Sequence, residues 1–200
     1  QIASLAASPI LERLVAVLPV AATEQHGPHL PLNVDSVLVD GIIKAALPNM
    51  GWGKAGDAPA ANAVPVLFLP TQKMSLSTEH RDFAGTLTLS PQTVMALWLD
   101  IGASVARAGL KKLVIFNSHG GNVALMDVVA RELRAQHGLI VYHSSWFNLP
   151  LVDAATGENL NGLFSAHEHR FGAHAGEIET SMMLALRRDL VDMTKAENFH

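Results

Sequence analysis

The segment Glu24-Gln25-His26-Gly27-Pro28-His29-Leu30-Pro31-Leu32-Asn33-Val34-Asp35 concentrates carboxylates and imidazoles in a stretch stiffened by glycine and prolines. Glu24 and His26 stand two apart, so an extended backbone turns both to the same side. Asp35 can return to that side after the Pro-bounded turn. Carboxylate and imidazole together suit divalent Zn, Mn or Fe. The competing account is a polar surface loop whose histidine and glutamate only form hydrogen bonds.

Two further segments carry groups of the same kind. His119-Gly120-Gly121-Asn122 places an imidazole beside two glycines that let backbone or ligand approach closely. It also reads as a plain Gly-rich turn with a capping Asn. The stretch His167-Glu168-His169-Arg170-Phe171-Gly172-Ala173-His174-Ala175-Gly176-Glu177-Ile178-Glu179 is dense in titratable side chains. His174 and Glu177 are three apart at a helix entrance, which allows them to share a face. Glu177 there also complements the helix dipole, a purely structural use. His167 and His169 read as exposed loop residues, and His29, His80 and Arg81 as pocket lining.

Together these groups suggest one reaction class. Asp35 can bridge two divalent ions about 3.5–4 Å apart, with Glu24, His26, His119 and a further carboxylate completing the shells. A water shared by two such ions loses a proton near neutral pH, and the hydroxide can attack an amide carbonyl. A nearby acid must then protonate the departing nitrogen, and His174 suits that step because imidazole titrates near working pH. The expectation is C–N bond hydrolysis without a covalent enzyme intermediate.

The elements that must position these residues follow from the apolar pattern. Leu14–Val20 reads as a buried strand, Val64–Pro70 as a second with its prolines near the ends, Leu113–Ser118 as a third and Leu139–His143 as a fourth. Helices are expected over 36–47 with Asp35 or Ser36 as cap, from Ser90-Pro91 to Gly109, over 123–136 and over 177–188. Residues 1–13 read as a helical or irregular lead-in, and 49–63 and 148–173 mostly as loop. Strands alternating with helices imply an α/β fold, a three-layer αβα arrangement with a mostly parallel sheet and helices on both faces.

Composition narrows the class further. The 200 residues, 49% apolar and 16% charged, fit one domain with a sizeable core. A net charge of -4 without a basic stripe argues against nucleic acid as a partner. Apolar runs fall short of the ~18 residues a spanning helix needs, and no membrane partner or signal peptide is expected. The absence of cysteine rules out disulfides and thiolate ligands, so a metal here must use His, Asp, Glu or water. A cytoplasmic protein is the expectation.

With these residues in view, the chain resembles the creatininase (creatinine amidohydrolase) family. The similarity runs from about Leu18 to Asp192 and rests on Leu18-Pro-Val-Ala-Ala-Thr-Glu-Gln-His-Gly-Pro-His29 with Asn33-Val-Asp35, Phe83-Ala-Gly-Thr-Leu87, Asn117-Ser-His-Gly-Gly-Asn122 and Glu179-Thr-Ser-Met-Met-Leu-Ala-Leu186. The resemblance implies an αβα fold, two divalent metal ions per chain (Zn, Mn or Fe), a small-molecule amide substrate and a homo-oligomer, often a hexamer. By position, Glu24 and His119 resemble ligands of one ion, His26 a ligand of the other, and Asp35 the bridge. His174 falls at the family's proton-transferring histidine and Trp146 at a substrate-covering tryptophan. His29 and His80 are further substrate-binding candidates.

The departures from the family pattern bear on the substrate. Creatininase itself has Tyr-Glu where this chain has Gly120-Gly121, and that Glu binds metal. Glu177 is expected to supply the missing carboxylate and to share in catalysis, with Glu179 as the alternative. Arg170 and Ala173 replace a second tryptophan and an acidic residue. Gly-Gly with His-Ala-Gly-Glu looks more like the wider family, which includes a formamide-cleaving deformylase and a peptidase that trims a redox-cofactor precursor. Amide hydrolysis is therefore better founded than creatinine as substrate. A non-catalytic metal- or small-molecule-binding protein is the alternative of another class. Family members also continue past the region matching His200, so the single domain 1–200 is expected to lack the family's C-terminal segment.

Overall fold

The structure, a computed structural model, describes residues 9–51, 60–153, 155–172 and 174–198. The expected lead-in over 1–8, the centre of the 49–63 loop and Ala173 lie outside these residues.

Among the described residues, four strands form one parallel sheet: β1 (Val15–Val20), β2 (Val66–Phe68), β3 (Lys112–Asn117) and β4 (Ile140–Ser145), in the order β2-β1-β3-β4. β1 pairs with β2 on one side and with β3 along its whole length on the other. Its continuous apolar run is what a parallel strand covered on both faces requires. β2 is shorter than the expected 64–70, because Pro65 and Pro70 flank it and lack the N–H a ladder needs.

The helices are α1 (Val34–Ala46), α2 (Pro91–Arg107), α3 (Val123–His137), the short α4 (Ala166–Phe171) and α5 (Glu177–Arg187). Leu14 and, from β1, Ala16, Leu18 and Val20 join Leu113 and Ile115 from β3 in a core with Val94, Trp98 and Val105 of α2 and Met126, Val129 and Leu133 of α3. α1 packs against β1 and α5 on the other side, around a second cluster of Leu30, Val34, Leu38 and Met183. Each fully buried Leu, Val or Met here contributes about 1.5–3 kcal/mol relative to exposure. Among the described residues no helix is long and apolar enough to cross a membrane.

Local signals set most helix ends. Ser90 Oγ accepts the Thr93 N–H ahead of Pro91, and Gly138 ends α3 at φ 63°. Two expectations fail. α1 starts at Val34, with Asn33 at the cap, so Asp35 lies inside the first turn and points inward. α4 lies in the stretch read as loop, where Ser165 Oγ accepts the Glu168 N–H; its single short turn leaves too little apolar periodicity to detect.

The register matters most for the site. Val20, Asn117 and Ser145 are aligned partners at the carboxyl ends of β1, β3 and β4. The Glu24 loop, His119 and Trp146 therefore leave the sheet at one edge, where open α/β sheets gather ligands.

Candidate metal centre

Asn117 fastens this edge. Its amide donates to Ser145 Oγ at 2.9 Å and to the His119 carbonyl at 2.6 Å, and its Oδ1 accepts from the His119 N–H and from Asn122. His119 is thus delivered into the space above β1, where Glu24 and His26 arrive from the loop and Asp35 from the first turn of α1. All four side chains are buried.

Asp35 lies between two imidazoles. Its Oδ1 is 3.4 Å from His26 Nε2, and its Oδ2 is 3.4 Å from His119 Nδ1. Glu24 Oε1 is 3.1 Å from His119 Nδ1, 3.6 Å from His174 Nδ1 and 3.9 Å from His80 Nε2. Glu179 Oε2 is 3.9 Å from His26 Nε2 and accepts the Ala175 N–H. Among the described residues, three overlapping sets of ligand atoms close enough to share an ion result: Glu24, Asp35 and His119; His26, His174 and Glu179; and Glu24, His80 and His174.

Main-chain carbonyls fix three of the imidazoles. His26 Nδ1 faces the Glu24 carbonyl, His119 Nε2 the Leu76 carbonyl and His174 Nε2 the Gln25 carbonyl. A carbonyl only accepts, so each of these nitrogens carries a proton, and in the neutral ring the other nitrogen turns a lone pair towards the carboxylates. That outer contact is how proteins orient metal-binding histidines. His26 Nε2 and Asp35 Oδ2 are buried and make no hydrogen bond. A bare nitrogen and a bare carboxylate oxygen buried together are costly without a cation, so the donor set fits divalent metal.

The electrostatics follow from this crowding. Burial opposes charge on Asp35, yet the adjacent His119 and His26 outweigh it and hold the carboxyl below its usual range. Burial likewise opposes charge on Glu24, and His119 reverses the balance. The same pairs act on the histidines: against burial, Asp35 raises His26, and Asp35 with Glu24 pushes His119 up to about 10. Burial pushes Glu179 up to about 7. Burial, reinforced by His26 and His80, lowers His174 to about 4, so its ring is a neutral base.

The structure brings together Glu24, His26, Asp35, His119, His80 and His174, and separates other candidates from them. Glu177 is exposed at the first position of α5 and belongs to none of the three sets, whereas Glu179 is buried among them. At 3.6 residues per turn the two project roughly 200° apart, so only one can face α1. The expected pairing of His174 with Glu177 fails too, because His174 lies in the turn before the helix, where helical spacing does not apply. His29 is buried with Nε2 on Thr180 Oγ1 at 2.9 Å, which ties the loop to α5 instead of lining a pocket. Trp146 stands at the end of β4 with its indole N–H on Ser118 Oγ at 3.0 Å, and packs on the second apolar cluster.

Gly121 explains itself sterically. A Cβ there would run into the Leu76 carbonyl and lie 2.6 Å from His119 Nε2 and 2.7 Å from Glu79 Oε1. No side chain fits without breaking the contact that orients His119. Gly120 next to it has open space around it. Sequence reasoning missed Ser77, which donates to Glu24 Oε2, and Gln25, whose side chain reaches His80 Nδ1 at 3.1 Å. Gln25 was in plain view between Glu24 and His26, but only the fold shows where its amide goes.

The family model described as "Creatininase: Creatinine amidohydrolase" matches residues 4–200. A "Mycofactocin precursor peptide peptidase" of Mycobacterium ulcerans (strain Agy99) is 30% identical over 175 residues, 88% of this chain and 59% of the relative. A "Creatinine amidohydrolase" of Pseudomonas putida is 33% identical over 190 residues, 90% of this chain and 67% of the relative. Among solved structures, "Creatininase Mn" aligns with a TM-score of 0.73 at 30% identity over 100% of this chain and 74% of the other. The chain thus spans a little under two thirds of the length of the mycobacterial relative.

Proposed function

The chain belongs to the creatininase family, and from that premise we propose that it is a metal-dependent amidohydrolase that cleaves an amide or cyclic-amide C–N bond. The observation that carries the reading is Asp35 held between His26 and His119, with His26 Nε2 and Asp35 Oδ2 buried and without a hydrogen-bond partner. In this proposal Glu24 and His119 would hold one divalent ion and His26 and Glu179 the other, with Asp35, whose Oδ1 lies by His26 and Oδ2 by His119, available to both. Glu179 takes the place first given to Glu177. Zn, Mn or Fe suits this donor set. Bound there, the ions supply an acidified water and an electrophile for the substrate carbonyl.

The protein's own part is orientation and proton transfer. His174 has its Nε2–H anchored on the Gln25 carbonyl and its Nδ1 lone pair directed at the cluster. Neutral at working pH, it can take the proton of the attacking water at Nδ1 and return it to the departing nitrogen. His80 and His174 are the partly exposed members of the cluster, with side chains 18% and 27% exposed, so substrate approaches past them. Trp146 serves in this reading as a wall of the pocket.

A second substrate reading is an amide carried in a larger molecule, such as a peptide or a substituted formamide. That reading agrees with the name of the mycobacterial relative. A homo-oligomer, hexameric by family resemblance, and a cytoplasmic setting complete the proposal. Exposed Phe83, Leu87, Leu163 and Phe171 support self-association.

The test is metal analysis of the purified protein with a hydrolysis screen of creatinine, formamides and short peptides. About two ions per chain with turnover of one amide class is the expected result. Less than one ion per chain after incubation with Zn or Mn, with no turnover, would overturn the proposal.

A further inference from the structure

His80 differs from its neighbours in which way its ring N–H points. His26, His119 and His174 each spend a ring N–H on a main-chain carbonyl and turn the other ring nitrogen to the carboxylates. His80 Nδ1 instead meets the side-chain amide of Gln25, at 3.1 Å from Nε2. That amide cannot simply turn over, because its Oε1 accepts the Gly27 N–H at 2.9 Å. The Gln25 backbone is fixed as well, since its N–H reaches Thr86 Oγ1 and its carbonyl holds His174. Gln25 therefore donates to His80 Nδ1, and a neutral ring must then carry its proton on Nε2.

That Nε2–H faces the cluster. It lies 3.9 Å from Glu24 Oε1, too far for a hydrogen bond to that oxygen. The His80 ring stacks on His174 at 4.1 Å between centroids and 18° between planes. Side by side at the open side of the site stand one imidazole that offers a base and one that offers a donor. One residue, Gln25, sets both, through its carbonyl and its side chain.

We propose that Gln25 holds His80 as an Nε2–H donor that hydrogen-bonds the oxygen of the substrate carbonyl as negative charge develops on it. This rests on the amidohydrolase reading and adds to it a catalytic role for His80 and a positioning role for Gln25. As water adds to the carbonyl carbon, the C=O π electrons move onto oxygen, and a fixed N–H stabilises that charge more than it stabilises the ground-state carbonyl. His80 gives up no proton in the step. His174 Nδ1 carries the proton that moves.

The test uses the Zn-loaded protein with ¹⁵N-labelled histidine. Long-range ¹H–¹⁵N spectra should show His80 with a bare Nδ1 and a protonated Nε2, and Gln25→Met should give a mixture of the two tautomers. On the best amide from the substrate screen, His80→Ala should lower kcat by ~10²–10³-fold, with KM and bound Zn unchanged. His80→Gln, which can place an amide N–H near the same point, should recover activity to within about tenfold of wild type. An Nδ1-protonated His80, bare or metal-bound at Nε2, would overturn the proposal, as would His80→Ala turning over as fast as wild type or His80→Gln failing to recover. Wild-type protein that binds Zn, shows the stated tautomer and hydrolyses no amide would overturn the amidohydrolase reading and this role with it.

Discussion

Ser77 donates its hydroxyl to Oε2 of Glu24, which leaves Oε1 as the oxygen that meets His119, His174 and His80. Both residues are buried, and they come from different loops, after β1 and after β2. The serine decides which half of the carboxylate is available to a ligand. Ser77→Ala should leave a buried oxygen without its donor, costing about 1–3 kcal/mol of stability. Denaturant unfolding of chelator-treated protein measures that cost. Chelator competition should show metal held ~10–100-fold less tightly.

Glu179 and Glu177 offer a direct comparison, since they are two residues apart and face opposite ways. Glu179→Gln should strip at least one ion and reduce turnover by more than ~10²-fold, while Glu177→Gln should stay within a few-fold of wild type. Metal content and kcat of the two variants decide this, and the reverse pattern would return the ligand role to Glu177.

Asp35→Asn keeps the shape but removes the charge that His26 and His119 share. Metal content should fall below one ion per chain and activity should be lost. The circular dichroism spectrum should not change, because the apolar clusters around α1 are untouched.

Gly121→Ala should act through His119 alone. The added methyl collides with the Leu76 carbonyl that orients the ring. Metal affinity should drop by ~10–100-fold, measured by chelator competition, whereas Gly120→Ala should be nearly silent because its Cβ meets nothing.

The metal-free protein should become less stable as pH rises above neutrality. His119, raised from 6.5 to about 10, binds a proton in the folded state over a range where the unfolded chain has lost it. Its contribution is complete below 6.5 and disappears as pH climbs through about 10. His26, also raised, adds in the same direction. Thermal midpoints of chelator-treated protein between pH 7 and 10 should fall, and His119→Asn should flatten that fall. Metal competes for the same nitrogens, so uptake should release protons into a weakly buffered solution.

Glu24, His26, Asp35 and His119 could be picked out from the sequence because metal chemistry restricts ligands to a few residue types, and these types sit at strand ends that apolar runs reveal. The alternating elements likewise announced a parallel α/β sheet, since burial on both faces leaves an uninterrupted hydrophobic signature in β1. Spacing could not choose between Glu177 and Glu179. That choice depends on which side of α5 faces α1, and helix rotation is set by packing of Met183 with Val34 and Leu38. Nor could it find Ser77, or the contacts of Gln25 and His80, which lie 55 residues apart. Residue types and local periodicity state what a chain can bind and where its elements run. The proton on each ring nitrogen, and the oxygen each carboxylate offers, are decided by hydrogen bonds between distant segments that exist only once the chain has folded.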